Sequence, residues 1–349
     1  MSSMSAAAPR GMTRCAAAAV LFGATTPLAS RMADDTTAPV LAGLLYIGAA
    51  VAVVPFARRQ SVDPAAFRRG GRRLAVAVVA GGFLGPLLLT AGLARTPAAT
   101  ASLLLNLELV ATTILAALLF HEHIGRRVAT GTVAVAGAGV VLVWSGAPEP
   151  RLGALLIAGA CVCWGLDNCV TADLDQISPE HITVAKGVIA GSTNLALGVA
   201  LGAAMPSIGL VLGALAVGAL GYGASITLWV AGARDIGAAR GQLLFASAPF
   251  LGVLVAWVAL GDQVRTAEVA ALALAAFGVS RVVGSHHLHD HHHQATDHDH
   301  EHVHDDGHHV HAHPDLDQRV RHSHGHRHAP TRHAHPHVPD LHHRHVHAD

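Results

Sequence analysis

LLLNLELVATTILAALLFHEH, residues 103–123, is answered 140 positions later by LLFASAPFLGVLVAWVALGDQ, residues 243–263. Each stretch opens on Leu-Leu, stays apolar for the thickness of a bilayer, and stops at an acidic residue, Glu122 or Asp262. An earlier pair of runs echoes in the same way, with Phe22-Gly23 in one and Trp164-Gly165 in the other. The chain reads as one membrane module written twice, and internal duplication in a polytopic protein is an architecture of secondary transporters.

Composition agrees. Of 349 residues 52% are hydrophobic and 13% charged, with 36 glycines against 8 Phe, 4 Trp and 2 Tyr. A soluble domain of this length would need more Lys and Glu to cover its surface. Glycine and alanine inside apolar runs suit helices in lipid, where apolar burial no longer drives association and small residues let backbones approach. The zero formal net charge hides a division, because all but three of the 28 histidines fall after Ser285, where the apolar runs cease.

At about 20 residues per span, the polar punctuation marks ten runs: 14–32, 38–57, 74–94, 98–120, 127–145, 152–171, 181–204, 207–231, 238–260 and 266–283. Arg10 and Arg14 ahead of the first run also resemble a signal-peptide n-region, but the repeat needs that run as a span. With both termini cytoplasmic, one side collects Arg10, Arg14, Arg58, Arg59, Arg68, Arg69, Arg72, Arg73, Arg126, Arg127, Arg234, Arg240 and Arg281. The other side keeps Arg31, Arg95, Arg151 and Arg265, so arginine sets this orientation in a plasma (inner) membrane. Five spans per half is an odd number, which inverts the second half relative to the first. The expected fold is an all-α membrane protein of ten transmembrane helices in two inverted five-helix repeats, 12–145 and 150–283, with a disordered tail at 286–349.

The stretches LFGATTPLA (21–29), SLLLNLELVATTILAALLFHE (102–122), CWGLDN (163–168), AKGVIAGSTNLALG (185–198), LGYGAS (220–225) and ASAPFLGVLVAWVALGD (246–262) resemble the drug/metabolite transporter (DMT) superfamily. Within it they resemble the EamA-type permeases of two five-span domains. The resemblance covers residues 12–283 and none of the tail, and His121 and His123 beside Glu122 depart from the family pattern. It implies a secondary transporter, often an exporter of small organic metabolites, and it names no substrate.

Ionisable residues inside the spans mark where chemistry sits, since a charge at the centre of a helix costs about 2.5–3.5 kcal/mol on insertion scales. Glu108 lies near the middle of the fourth run with Asn106 two residues earlier. The functional reading is a carboxylate that carries a coupling proton or meets the substrate. The plain alternative is a structural glutamate held by hydrogen bonds from a neighbouring helix. Asp167 with Asn168 in the sixth run, and Lys186 in the seventh, fall at similar depth on either side of the turn TADLDQISPEH (171–181). They can form a salt bridge that is static or that breaks and re-forms during transport, or Lys186 can snorkel to the interface.

Thr25, Thr26, Thr112 and Thr113 suit back-bonding to their own helices, and Pro86 and Pro249 should kink the third and ninth spans and free carbonyls. Arg95 and Arg234 should meet headgroups. Cys161, Cys163 and Cys169 cluster in the sixth run and Cys15 lies in the first. Small packing residues are the leading reading for all four, ahead of a thiolate metal site.

The tail is different chemistry. His300, His302, His304, His309, His311, His313, His322, His324, His326, His328, His333, His335, His337, His343, His345 and His347 stand mostly in His-x-His alternation, with Asp and Glu between them. Neutral imidazole suits Zn, Ni, Co and Cu ions, and the segment lacks the residues to build a core.

Two function classes follow. One is a proton- or gradient-coupled exporter of a small organic metabolite or drug-like solute, with a metal-binding tail as accessory. The other is a divalent metal (Ni, Co or Zn) transporter with the tail as collector or sensor. No histidine lies deep in any span and no HxxxxDH spacing occurs within the spans, the one match, His292 to His298, lying in the tail, which weighs against the second. A membrane anchor for a metal buffer would not need so many spans. The chain is not read as an enzyme, no catalytic residue or required cofactor is expected, and the partners are the lipid bilayer, a small-molecule substrate and transition metal ions. No nucleic acid is expected, and a monomer and a homodimer both suit the design.

Overall fold

The computed structural model describes residues 4–120, 125–145, 148–172, 174, 176–236 and 244–283, together with 287–293, 296–302, 322–328 and 331–337 of the tail. Taken as continuous rods, the helices are α1 (Met4–Ala33), α2 (Ala38–Ala57), α3 (Pro64–Leu93), α4 (Ala98–Leu119), α5 (Arg126–Ser145), α6 (Arg151–Thr171), α7 (Pro179–Ala200), α8 (Ile208–Gly232), α9 (Ala248–Ala259) and α10 (Thr266–Val283). Among the described residues seven of these, α2 to α8, are long and apolar enough to cross a membrane, and α9 is a shorter apolar helix. The expected ten spans are therefore met by seven and this shorter one. The α1 and α10 rods occupy the first and tenth positions with arginine near their ends, and most of the run ahead of α9 lies outside the described residues. The third helix starts ten residues before its apolar run. Asp63 accepts from the Ala65 N–H and Pro64 opens the first turn, two features that start helices.

Packing exchanges helices between the halves. The α2 rod packs on α7, α4 on α9 and α5 on α10, while α1 lies on α8 and α9 as α6 lies on α3 and α4. The same neighbours recur with the halves interchanged, as a twofold relation between repeats requires. Leu41, Leu45, Leu89, Leu93, Leu104 and Ile157 are fully buried at the centre. Leu118, Val133, Trp144, Leu155 and Val258 face outward, and a bilayer would cover them.

Two irregularities repeat along with the sequence. The fourth rod breaks at Leu105–Asn106, where the N–H groups of Asn106, Glu108 and Leu109 bond three residues back rather than four. One residue beyond the matching place in the second half, Ala246–Ser247 is also a turn ahead of α9, with the Ser247 N–H bonded to the Leu244 carbonyl. Likewise α3 widens to a π-helix over Val78–Leu84, and α8 does so over Ala219–Ala224. Each π segment brings a glycine against the partner helix: a Cβ on Gly81 would meet Asp167 of α6, and one on Gly221 would meet Thr25 of α1. Two more π segments, Lys186–Ala190 in α7 and Val255–Ala259 in α9, have no counterpart in the other half among the described residues.

Four tail segments are described, all of them extended: β1 (His287–His293), β2 (Thr296–His302), β3 (His322–His328) and β4 (Thr331–His337). Strand β1 pairs antiparallel with β4, and β2 pairs antiparallel with β3, each as a two-stranded sheet. An antiparallel ladder satisfies backbone groups without a core, but a pair of strands alone is marginally stable in water. In register, His289 stands opposite His335 and His300 opposite His324.

Candidate functional site

The site is built where five helices meet beside the break in α4. Because the regular ladder stops at Leu105–Asn106, Glu108 sits in the first turn of the half that resumes at Leu107. Its Oε1 accepts a hydrogen bond from Asn168 Nδ2 of α6 at 2.8 Å, and the same amide lies 3.5 Å from Thr112 Oγ1 one turn further along α4. Glu108 is half-buried. Asn106, the other candidate in this helix, turns away: its Nδ2 donates to the Leu103 carbonyl at 3.1 Å, so it serves the break itself.

One residue before Asn168 on α6, Asp167 is buried and faces α7. Lys186 Nζ lies 2.6 Å from both of its oxygens, and Thr171 Oγ1 donates to Oδ1 at 2.9 Å. Both side chains of this ion pair are largely shielded, at 14% and 10% relative exposure. Lys186 also opens the π segment of α7. The structure thus brings Glu108, Asn168, Asp167 and Lys186 into one chain of contacts across α4, α6 and α7, and leaves Asn106 beside it.

The α2 and α3 rods close the group. In the π register of α3 the Gly81 carbonyl would take its proton from residue 86, but Pro86 has no N–H to give. The freed carbonyl instead accepts from Tyr46 Oη at 2.7 Å and from Trp164 Nε1 at 3.1 Å. Sequence reading foresaw a carbonyl freed by Pro86, but Tyr46 and the role of Trp164 escaped it, since only the π turn shows which carbonyl is left over.

The other polar residues singled out in the spans bond locally. Thr25 and Thr26 bond back to the carbonyls of Leu21 and Phe22, and Thr113 bonds back to Leu109. Arg95 folds onto the Ala91 carbonyl at 2.7 Å. Cys161 is fully buried, and its thiol donates to the Leu104 and Leu105 carbonyls beside the break, at 3.6 and 3.9 Å. Among the described residues no group of three His, Cys, Asp or Glu side chains could hold a metal ion. Glu122, His121 and His123 lie outside the described residues, as do His304, His309, His311, His313, His343, His345 and His347.

A buried carboxylate that sequence reading missed altogether is Glu268 of α10, 1% exposed. It stands two residues inside a helix start, where an acid reads as an ordinary end group.

Comparison with known proteins matches the model of the EamA-like transporter family twice, over residues 9–145 and 151–284. No curated protein matches the chain. Among solved structures, one described as "Crystal structure of protein" is 20% identical with a TM-score of 0.58, covering 81% of this chain and 98% of that one. At that identity the likeness is one of fold.

Proposed function

The chain belongs to the EamA-like transporter family and is a multi-pass membrane transporter, and from that premise we propose that it exports a small organic solute through the site at Glu108, Asn168, Asp167 and Lys186. The observation that carries this reading is the placement of Asp167 and Asn168. Consecutive on α6, they reach in opposite directions, one to the Lys186 ammonium of α7 and one to the Glu108 carboxylate of α4. Charges held inside an apolar bundle are costly and belong to substrate or ion paths. Here they lie next to a broken helix, and breaks in membrane helices expose backbone groups at binding sites. Glu108 is the group that takes up a proton or meets a cationic part of the solute. The Asp167–Lys186 pair is a tie that the solute or a proton can part.

The arginine-rich ends of α2, α3, α5 and α10 face the cytoplasm of a plasma (inner) membrane, which puts both termini there too. The His-rich tail then binds divalent transition metals such as Zn or Ni on that side. A metal-carrying membrane domain, the second reading, would rely on Glu108, Asp167, Asn168 and the α6 thiols, which form no three-ligand group among the described residues.

The test is survival of cells challenged with a panel of toxic amino-acid analogues, nucleobase analogues and cationic dyes. Cells expressing the chain should resist at least one compound, and Glu108→Gln should abolish that resistance while membrane levels of the protein stay unchanged. Full resistance in Glu108→Gln cells would remove Glu108 from the mechanism.

A further inference from the structure

At the end of the bundle opposite the arginine-rich turns, groups that the site does not use tie the two repeats together. Glu268 Oε1 accepts from Thr100 Oγ1 of α4 at 2.6 Å, and Oε2 accepts from Trp257 Nε1 and from the Arg265 N–H, each at 3.3 Å. The bond to Arg265 is the ordinary reach of a third-position glutamate back to the first N–H of its own helix. The bond to Thr100 crosses from the second repeat to the first. Asp262 crosses in the same direction: Oδ2 accepts from the Ala99 N–H at 3.3 Å, and Oδ1 meets Arg31 Nη2 of α1 at 3.3 Å. That guanidinium also donates to the Leu260 carbonyl at 2.7 Å.

These ties converge on Ala98–Leu104, the first half of α4. It begins after Pro97, which offers no side-chain acceptor for the unpaired N–H groups of a helix start. Asp262 supplies that acceptor from the other repeat. At its far end the segment meets the break at Leu105–Asn106, so it has a pivot at one end and cross-repeat carboxylates at the other. Beneath it lies a crevice between Ser102, Phe22, Thr26 and Ala248 that is too narrow for water, and the fully buried Ser102 hydroxyl has no partner among the described residues.

We propose that Ala98–Leu104 is a gate segment, hinged at Leu105–Asn106 and latched by Asp262 and Glu268, that swings to open the crevice toward this face. The proposal rests on the transporter reading above. Release of the latch lets the segment tilt while Leu107–Phe120, which carries Glu108, stays in place. The matching residues of the second repeat, 238–244, lie almost wholly outside the described residues.

Opening is read from Ser102→Cys in a chain with Cys161 replaced by Ser and Cys15, Cys163 and Cys169 by Ala, reconstituted in vesicles and treated with a membrane-impermeant methanethiosulfonate. Adding Thr100→Val should speed labelling from the latch face about tenfold, the factor equivalent to about 1.4 kcal/mol. An unchanged rate overturns the gate. No transport enters this assay, so its failure is distinct from failure of the Glu108 reading. Should the altered-cysteine chain not fold, amide hydrogen exchange on Thr100→Val with its cysteines intact gives the second readout. Faster exchange confined to 98–104, with 107–119 and the start of α10 unchanged, supports the latch, while a uniform change or none overturns it. A Glu268 that only capped α10 would leave both readouts unmoved by Thr100→Val.

Discussion

Gly81 of α3 lies so close against Asp167 of α6 that no side chain fits between them; a Cβ at position 81 would fall on the carboxylate. Gly81→Ala must therefore push Asp167 off Lys186 or part the helices. Overpacking of this kind costs about 1–3 kcal/mol. The variant should melt earlier in detergent and lose resistance in the cell assay, and an unchanged melting temperature would mean that α3 yields freely.

The Asp167–Lys186 pair should behave as a buried ion pair. Lys186→Met leaves a shielded carboxylate without its cation, a change that costs about 3–5 kcal/mol in well-buried pairs. The double variant Asp167→Asn/Lys186→Met should recover most of the lost thermal stability, since two neutral groups replace two charges. It should not recover transport. A double variant that transports normally would show the pair to be a static strut.

Asn168→Leu removes the donor to Glu108 without touching a charge. Leaving a buried acceptor unpaired costs about 1–3 kcal/mol, an upper bound for the half-buried Glu108, and transport should fall several-fold with membrane insertion intact. Asn168→Gln, which keeps the amide but moves it by one methylene, should fall between that variant and the native chain. Equal transport by all three would separate Asn168 from the site.

The tail is tested by removal. Truncation after Ser285 should abolish binding of Zn and Ni by the purified protein in calorimetry and leave resistance in the cell assay intact. Because protons compete with metal for imidazole nitrogen, binding by the full chain should weaken between about pH 7 and about pH 5. Undiminished binding by the truncated protein would place the metal in the membrane domain.

The repeat, the helical class and three of the four linked residues of the site were legible from apolar runs and from charges within them, because a bilayer tolerates few other patterns. Asn168 came with Asp167 as its neighbour. The bond from Asn106 to the Leu103 carbonyl was not legible, because position along a helix does not show which way a side chain turns when the helix breaks. The break carries neither Gly nor Pro, so nothing in 103–108 announces it. Tyr46 was hidden because its partner is a backbone carbonyl released by a change of helical register. Glu268 and Asp262 were hidden by their place near helix ends, where acids are common and need no partner across the molecule.

The paired π segments, Val78–Leu84 and Ala219–Ala224, make the widened helix a property of the repeated unit and not of either half alone. The chain therefore builds the same close helix crossing twice, once with Gly81 against Asp167 and once with Gly221 against Thr25. Two frames of one shape carry different contents, a carboxylate in one and a hydroxyl in the other. What makes the two halves unequal is the side chain seated at the crossing, while the backbone that seats it is common to both.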